Sequence, residues 1–461
     1  MNTILLQPTD VLFFRDGRPM SGAMPGHGAA WPLPSVINHA FHAALHRSGL
    51  RGHAHDQRQH HERLVENARQ FGSLVTAGPF PVHQVKDQVK WYFPRPLDLL
   101  DDTLNPAWLP TDRRNPDDSS SLPSPLKYPT ANRLPPNKEN PAKTWLSGEA
   151  YQRYLDGRDA ALTQDEARDD SAFSDAEATI GIAIDPMTGT TGQGEAAGKI
   201  YSAHYLRLRN HWHLGALAGM AEKNDEGSRT DLIPELINQQ RQILIGGQQR
   251  LCTAYCGPAG DTLPLPQGLT NRFNSLGEGS SKRWLVKWVL LSPAIWPEIP
   301  AKSRDGRDLT PHSGGWLPNW VRQSDGQVML RMGERRTRKY NGKHTRGFEE
   351  NSSPIGAKLV AAIVPKPIVV TGWALPNHTD RPDGGAKSTH LAVPAGAVYY
   401  FEAEPDANQG PGNAIALANA LNWHGDTEGT EIKNRRSTLM GEKGFGLGVC
   451  GTWNFGKLSK I

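Results

Sequence analysis

The chain has 461 residues, too many for one core, and domains of ~100–200 residues predict two or three units. A net charge of +4 is too small for a global basic field, so any nucleic-acid contact has to come from local clusters. Gly 47 and Pro 36 with 37% hydrophobic residues describe a real core interrupted by many loops. Of the three cysteines, Cys252 and Cys256 stand as C-x₃-C without the second pair that a zinc site needs, so with Cys450 they read as free thiols in a reducing compartment. Residues Met1–Pro8 lack the basic start and apolar run of a signal peptide, and no stretch reaches the ~20 apolar residues of a membrane span. The expectation is a soluble, cytoplasmic protein.

In chain order, Thr3–Leu6 reads as a strand. In Pro8–Pro19, Phe13 and Phe14 anchor the segment while Arg15 and Arg18 flank the turn-forming Asp16-Gly17. Two arginines on a tight turn can grip a phosphate, or pair with Asp10 and Asp16. Pro34-Ser35 starts a helix with Ser35 as N-cap and Val36, Ile37, Ala40, Phe41, Ala44 and Leu45 on its buried face. A helix N-terminus with a free serine is also a natural anion site. His53, His55, His60 and His61 could bind a metal, but no carboxylate or thiol geometry supports it, and the segment reads as a solvated stretch leading to a helix over Arg58–Phe71.

Val82–Val85 and Val89–Phe93 form a predicted hairpin around Lys86-Asp87-Gln88. Asp101–Ala142, rich in Pro, Asp, Ser and Asn, reads as a long exposed insertion. A short helix follows over Trp145–Leu155. Ile180–Asp185 and Lys199–Arg209 read as strands around a mobile glycine loop. Tyr201, Tyr205, Arg207 and Arg209 fall on one face, a combination suited either to base stacking with phosphate neutralisation or to tyrosine tips over a core.

Asp231–Ile243 is predicted helical and runs into a glycine turn, Gly246-Gly247, that ends on Arg250. Arg283–Leu291 is a strand, and Arg331–Arg346 is the densest basic run. Lys358–Val364, Pro367–Trp373 and Val398–Phe401 are strands, separated by the basic, glycine-bearing loop Arg381–Lys387. After a helix over Asn413–Trp423 and the pair Arg435-Arg436 comes Gly441-Glu442-Lys443-Gly444-Phe445-Gly446-Leu447-Gly448, then a closing strand. Such a loop can aim backbone N–H groups and an ammonium at phosphate and leave Phe445 for stacking, or it is an ordinary glycine-rich hairpin. Mixed helices and hairpins argue α+β with antiparallel sheets.

Four stretches carry a family likeness in order: PTDVLFFRDGRP at Pro8–Pro19, WP-x-PS with its helix at Trp31–Leu45, GIAID…TGT…KIYS at Ile180–Tyr201, and the loop 441–448 with its GTW strand. WYFPRPLDL at Trp91–Leu99 fits as well. The chain resembles the third-subunit family of the Cmr complex, the RNA-guided type III-B CRISPR effector, within the RAMP superfamily. It departs from that family at Asn38-His39, where a small residue or glycine is usual.

The resemblance implies two ferredoxin-like (RRM-like) domains with long loop insertions: residues 1–210 with a polar insertion at about 101–178, and 211–461 with the glycine loop. It implies a non-catalytic, cofactor-free subunit of an antiviral ribonucleoprotein. That subunit holds the 5′ tag of the guide RNA (crRNA) and contacts the large polymerase/cyclase-like subunit and the backbone RAMP subunits. The alternative is a RAMP-type endoribonuclease that processes precursor guide RNA, for which His27, His39 and His42 are the candidates for proton transfer. The expected RNA-binding residues are Arg15, Arg18, Ser35, Asn38, His39, Lys199, Tyr201, Gly246, Gly247, Arg250, Arg435, Arg436, Lys443, Gly444, Phe445 and Gly446. No catalytic or metal-binding residue is expected.

Overall fold

The computed structural model describes residues 1–14, 31–50, 71–106, 122–130, 142–182, 184–185, 187–191, 200–223, 229–258, 260–270, 273–276, 283–303, 306, 308–332, 336–340, 343–347, 353–374 and 384–455. Arg15, Arg18, His27, Lys199, the histidine cluster 53–61 and nearly all of the helix expected over 58–71 lie outside the described residues.

Strand β1 (Asn2–Pro8) and helix α1 (Pro34–Arg47) precede the hairpin of β2 (Val75–Val85) and β3 (Gln88–Pro94). Then come β4 (Trp145–Ser147), α2 (Gly148–Leu155), β5 (Ala167–Arg168) and α3 (Asp170–Phe173). A ribbon of β6 (Ser174–Ile182) and β7 (Ile200–Leu208) leads to β8 (Trp212–Gly219). The short ribbon β9 (Ala221–Lys223) and β10 (Arg229–Asp231) is followed by α4 (Leu232–Gln239), β11 (Gln242–Leu244) and β12 (Leu251–Cys256).

The remaining strands are β13 (Asn274–Leu276), β14 (Arg283–Leu290), β15 (Arg336–Tyr340), β16 (Lys343–Gly347), β17 (Ala357–Ile363), β18 (Ile368–Val370) and β19 (Trp373–Ala374). They continue with β20 (Gly385–Ala386), β21 (His390–Ala392), β22 (Val398–Ala403), helix α5 (Gly412–Leu421) and β23 (Gly448–Gly451).

Two antiparallel sheets organise these elements. The first runs β11-β12-β1-β8-β2-β3-β4-β5. Its centre, β12-β1-β8-β2, is built from a β1-α1-β2 half and a β8-α4-β12 half, the split β-α-β of a ferredoxin-like unit. The second sheet places β23 and β22 on either side of β14, with β17 beyond β22. That repeats the strand order with β14, β17, β22 and β23 as first to fourth strands. The described residues between Leu291 and Gly356 hold no α-helix where the first crossover helix of such a unit would lie. The α+β class with antiparallel ferredoxin-like sheets is therefore present. A boundary at 210/211 would cut the first sheet just before its strand β8; the change of sheet falls between Cys256 and Asn274.

Side-chain alternation decides the layers, because successive residues of a strand face opposite sides. Ile4, Leu6, Leu214, Ala216 and Ala218 pack under α1 and α4. Val286, Trp288, Tyr399 and Phe401 pack under α5. The opposite faces, with Leu5, Val82, Trp91 and Leu217 from one sheet and Leu285, Val289, Tyr400 and Val449 from the other, share one core. The sheet face on which an RRM stacks bases is thus covered here by the other sheet.

Two local expectations change. Leu33, not Ser35, is the N-cap of α1, because Pro34 with its fixed φ takes the first helical position and leaves Ser35 inside the first turn. The insertion over Asp101–Ala142 is docked in part. Lys127 and Tyr128 donate backbone N–H groups to Val360 O at 2.8 and 3.0 Å, and the buried Tyr128 meets Phe455 edge-on.

Candidate nucleic-acid interface

The glycine loop is built for close packing. Gly441–Lys443 forms a single 3₁₀ turn between Met440 and Gly444, both left-handed. Gly444 has φ +92, and a Cβ there would stand 3.0 Å from Thr76 O and 3.2 Å from the Pro34 Cβ. Gly446 has φ +76, and its Cβ would lie 2.1 Å from Ser437 N. Only glycine lets the loop lie this close to β2 and the start of α1.

The amides expected to face phosphate are used inside the protein. Lys443 N–H donates to Met440 O, Gly444 N–H to Gly441 O, Phe445 N–H to Met440 O and Gly446 N–H to Pro293 O. Phe445 is fully buried among Ile295, Val370 and Ala392, so its ring does not face solvent as a stacking platform. The burial is physical necessity: an aromatic side chain beside a tight turn is best removed from water.

What the loop does present is charge. The Lys443 ammonium stands 3.3 Å from His39 Nε2 on α1, although the two residues are 404 positions apart. His39 keeps an exposed edge. Loss of solvent around its ring, then Lys443, Lys387 and His42, lowers its pKa from 6.5 to about 3. The imidazole is neutral at physiological pH, and its Nε2 accepts from the ammonium. The pKa of Lys443 is itself lowered by burial, with Glu442 opposing and Lys387 adding to the shift. Arg435 is held at about 10 by burial, against Glu442, and its Nε has no hydrogen-bond partner. His39, Lys443 and Lys387 thus converge from α1, the glycine loop and the β20–β21 connection, with Glu442 opposing, while Arg435 packs beside Gly441 and faces Glu442.

Several other residues of the expected set make contacts within the protein. Asn38 is buried and donates from Nδ2 to Thr76 Oγ1 at 3.3 Å, fixing α1 on β2. Ser35 is half-buried on the first turn of α1, the helix that carries His39. Arg436 donates from Nε to Ala420 O at 2.6 Å, satisfying a carbonyl in the last turn of α5.

Gly246 and Gly247 pack on Phe13 and Phe14, with Gly247 N–H donating to Phe13 O at 2.8 Å. Arg250 lies over the Tyr205 ring at 5.0 Å and 3.6 Å from Asp10. Tyr201 stands on β7 opposite Gly181. Arg207 pairs with Glu177 and Asp10, and Arg209 with Asp175, so the arginines of this ribbon are matched by acids across it. The basic run around β15 and β16 is a hairpin in its backbone.

Lys387 was the residue missed. Its loop was recognisable as basic and glycine-bearing, but nothing in the chain order places it beside α1. Among the described residues no group of three or more His, Cys, Asp or Glu stands together as a metal site. No described helix is long and apolar enough to cross a membrane.

No curated protein sequence matches the chain. Among solved structures, a chain of the cryo-EM structure of the Type III-B Cmr-beta bound to cognate target RNA aligns at 14% identity. The alignment covers 86% of each chain with a TM-score of 0.39. A chain of the crystal structure of the Csm3-Csm4 subcomplex in the type III-A CRISPR-Cas interference complex aligns at 10% identity over 88% of this chain and 96% of that one, with a TM-score of 0.32. The model of the family CRISPR-associated protein (Cas_Cmr3) matches residues 4–453. The chain therefore belongs to the Cas_Cmr3 family of CRISPR-associated proteins.

Proposed function

We propose that this chain is the non-catalytic, RNA-holding subunit of a type III-B CRISPR ribonucleoprotein, gripping the 5′ tag of the guide RNA. In this reading it also bridges the large subunit to the backbone RAMP subunits. The observation that carries the reading is the convergence of Lys443, Lys387 and His39 on the face where the glycine loop meets α1. The Lys443 and Lys387 ammonium groups, drawn together beside the neutral His39, repel one another unless an anion joins them, and a phosphodiester is such an anion.

The same geometry disfavours the endoribonuclease reading. General acid catalysis needs a group protonated near the working pH, and His39 is held far below it.

The test is RNA binding by full-length protein carrying Lys443→Ala, Lys387→Ala or both, followed by fluorescence anisotropy with a tag-containing RNA across a salt series. Each lost contact on a single strand reduces the slope of log K against log salt by about 0.7. Two lysines thus account for about 1.4, which is about a sevenfold change in the wild-type-to-variant affinity ratio between 50 and 200 mM salt. An unchanged slope in the double variant refutes the assignment. Site-specific cutting of repeat RNA that His39→Ala abolishes would establish the nuclease instead. Copurification of the large and backbone subunits with the double variant tests the bridging role separately.

A further inference from the structure

Strand β3 leaves part of one edge unpaired. β4 covers only Tyr92–Pro94, so among the described residues Gln88–Val89-Lys90 have β2 on one side and no strand on the other. Gln84 N–H donates to His211 O, away from β3. Val89 lies opposite Gln84, and the two residues of such a pair point their backbone groups away from each other. Arg95, in the same alternation as Val89, donates its N–H to Thr144 O on the β4 side. Val89 N–H and C=O therefore face the open edge.

A groove of about 970 Å³ runs along this edge. On one side, Val89 packs against the shared core with Trp91, Leu263 and Leu265, and all four line the groove. The other face of the hairpin brings His83 and Lys90 opposite each other, with Arg168 and Asp165 lining the groove as well. Arg168 holds Asp165 at 2.5 Å, and its buried Nε has no hydrogen-bond partner. Burial, then Arg168 and His211, lower the His83 pKa; Asp165 opposes them and Lys90 adds to them. That face is therefore cationic in spite of Asp165, with Glu149 in the first turn of α2 as the other acid of the groove. An extended polypeptide offers donor and acceptor at the spacing of such an edge, and its side chains alternate between the two walls.

We propose that this groove takes an extended segment of a neighbouring subunit by strand addition to β3, with an apolar side chain opposite Val89 and a carboxylate opposite Lys90. The inference rests on the bridging part of the reading above and names a surface through which one of those contacts is made. Main-chain bonds to Val89 supply affinity, and the apolar and cationic walls select the sequence.

The experiment uses the full-length chain and the other subunits of its ribonucleoprotein, purified separately. Val89→Pro removes the donor from the open edge and leaves the ladder to β2 whole, a placement that strands tolerate. Its affinity for one subunit, read by biolayer interferometry, is expected to fall about tenfold, the scale of one carbonyl left without its donor. Lys90→Glu is expected to weaken binding of that same subunit by a similar factor and to leave the others unchanged. Hydrogen exchange of β3 in the parent is expected to slow when that subunit is added. Thermal unfolding checks that both variants are folded; should Val89→Pro be unfolded, Lys90→Glu and the exchange data decide. Parent-like affinities in the folded variants, or β3 exchange that no subunit slows, would overturn the proposal and leave the bridging reading intact. Exchange slowed by tag-containing RNA alone would put nucleic acid in the groove and overturn it too. A parent chain that binds no subunit defeats the bridging reading itself.

Discussion

Replacing Asp98 by Asn tests what joins the two sheets. Asp98 and Lys287 are 0% and 1% exposed, and the Lys287 ammonium lies 3.6 Å from Asp98 Oδ2. Tyr154 on α2 donates its hydroxyl to Asp98 Oδ1 at 2.7 Å, and Tyr400 on β22 to Oδ2 at 3.3 Å. Lys287 also sits 3.5 Å above the Tyr154 ring. Asp98 follows β3 of the first sheet and Lys287 is on β14 of the second, so the network crosses the shared core. Burial lowers the Lys287 pKa and Asp98 opposes that shift. Asp98→Asn keeps the shape but removes the anion, and breaking a buried pair in this way costs about 3–5 kcal/mol. Adding Lys287→Met removes the stranded charge, so the double variant should be more stable than the sum of the singles by about 2 kcal/mol. Urea denaturation followed by tryptophan fluorescence and circular dichroism gives both numbers. An Asp98→Asn chain within about 1 kcal/mol of the parent, or a double variant equal to the summed singles, would refute the reasoning.

Four other predictions follow from the loop and its neighbours. His39 has a folded pKa of about 3 against 6.5 when free, so between those values the unfolded chain binds a proton that the folded chain lacks. Stability should fall as pH is lowered through that window, and His39→Gln should flatten the fall in a pH series of melting temperatures. A phosphate beside Lys443 and His39 raises the His39 pKa above about 3, so RNA affinity should increase on acidification toward that value and lose that dependence in His39→Gln; acid-side anisotropy curves equal for the parent and His39→Gln would count against it. Gly446→Ala should destabilise by at least about 2 kcal/mol, combining a left-handed backbone with a Cβ in the space of Ser437 N. Phe445→Ala should lower stability by about 3–5 kcal/mol in denaturant titrations, whereas a solvent-facing stacking ring would change RNA binding alone.

The glycine loop shows where reading the chain succeeds and where it stops. Its position, its left-handed turn and the strand after it were legible, because Gly441–Gly448 followed by Val449–Trp453 is a local signal. Whether its amides and ring were free was not, because Pro293, Ile295 and Val370 reach it from other parts of the chain. The arginines of β7 show the same limit. Their spacing suggested an open basic face, and only the pairing of Arg207 with Glu177 and Arg209 with Asp175 across the ribbon neutralised it.

Periodicity and turn chemistry by themselves determined the α+β class, most strands, and the helices at Pro34 and Asn413, since these depend on neighbours within a few residues. The packing of one sheet face on the other, the meeting of His39 with Lys443 and Lys387, and the burial of Asp98 on Lys287 were decided only by tertiary structure. Each joins groups well over a hundred residues apart, and it is the cost of leaving apolar faces wet or charges unpaired in the folded whole that selects such contacts.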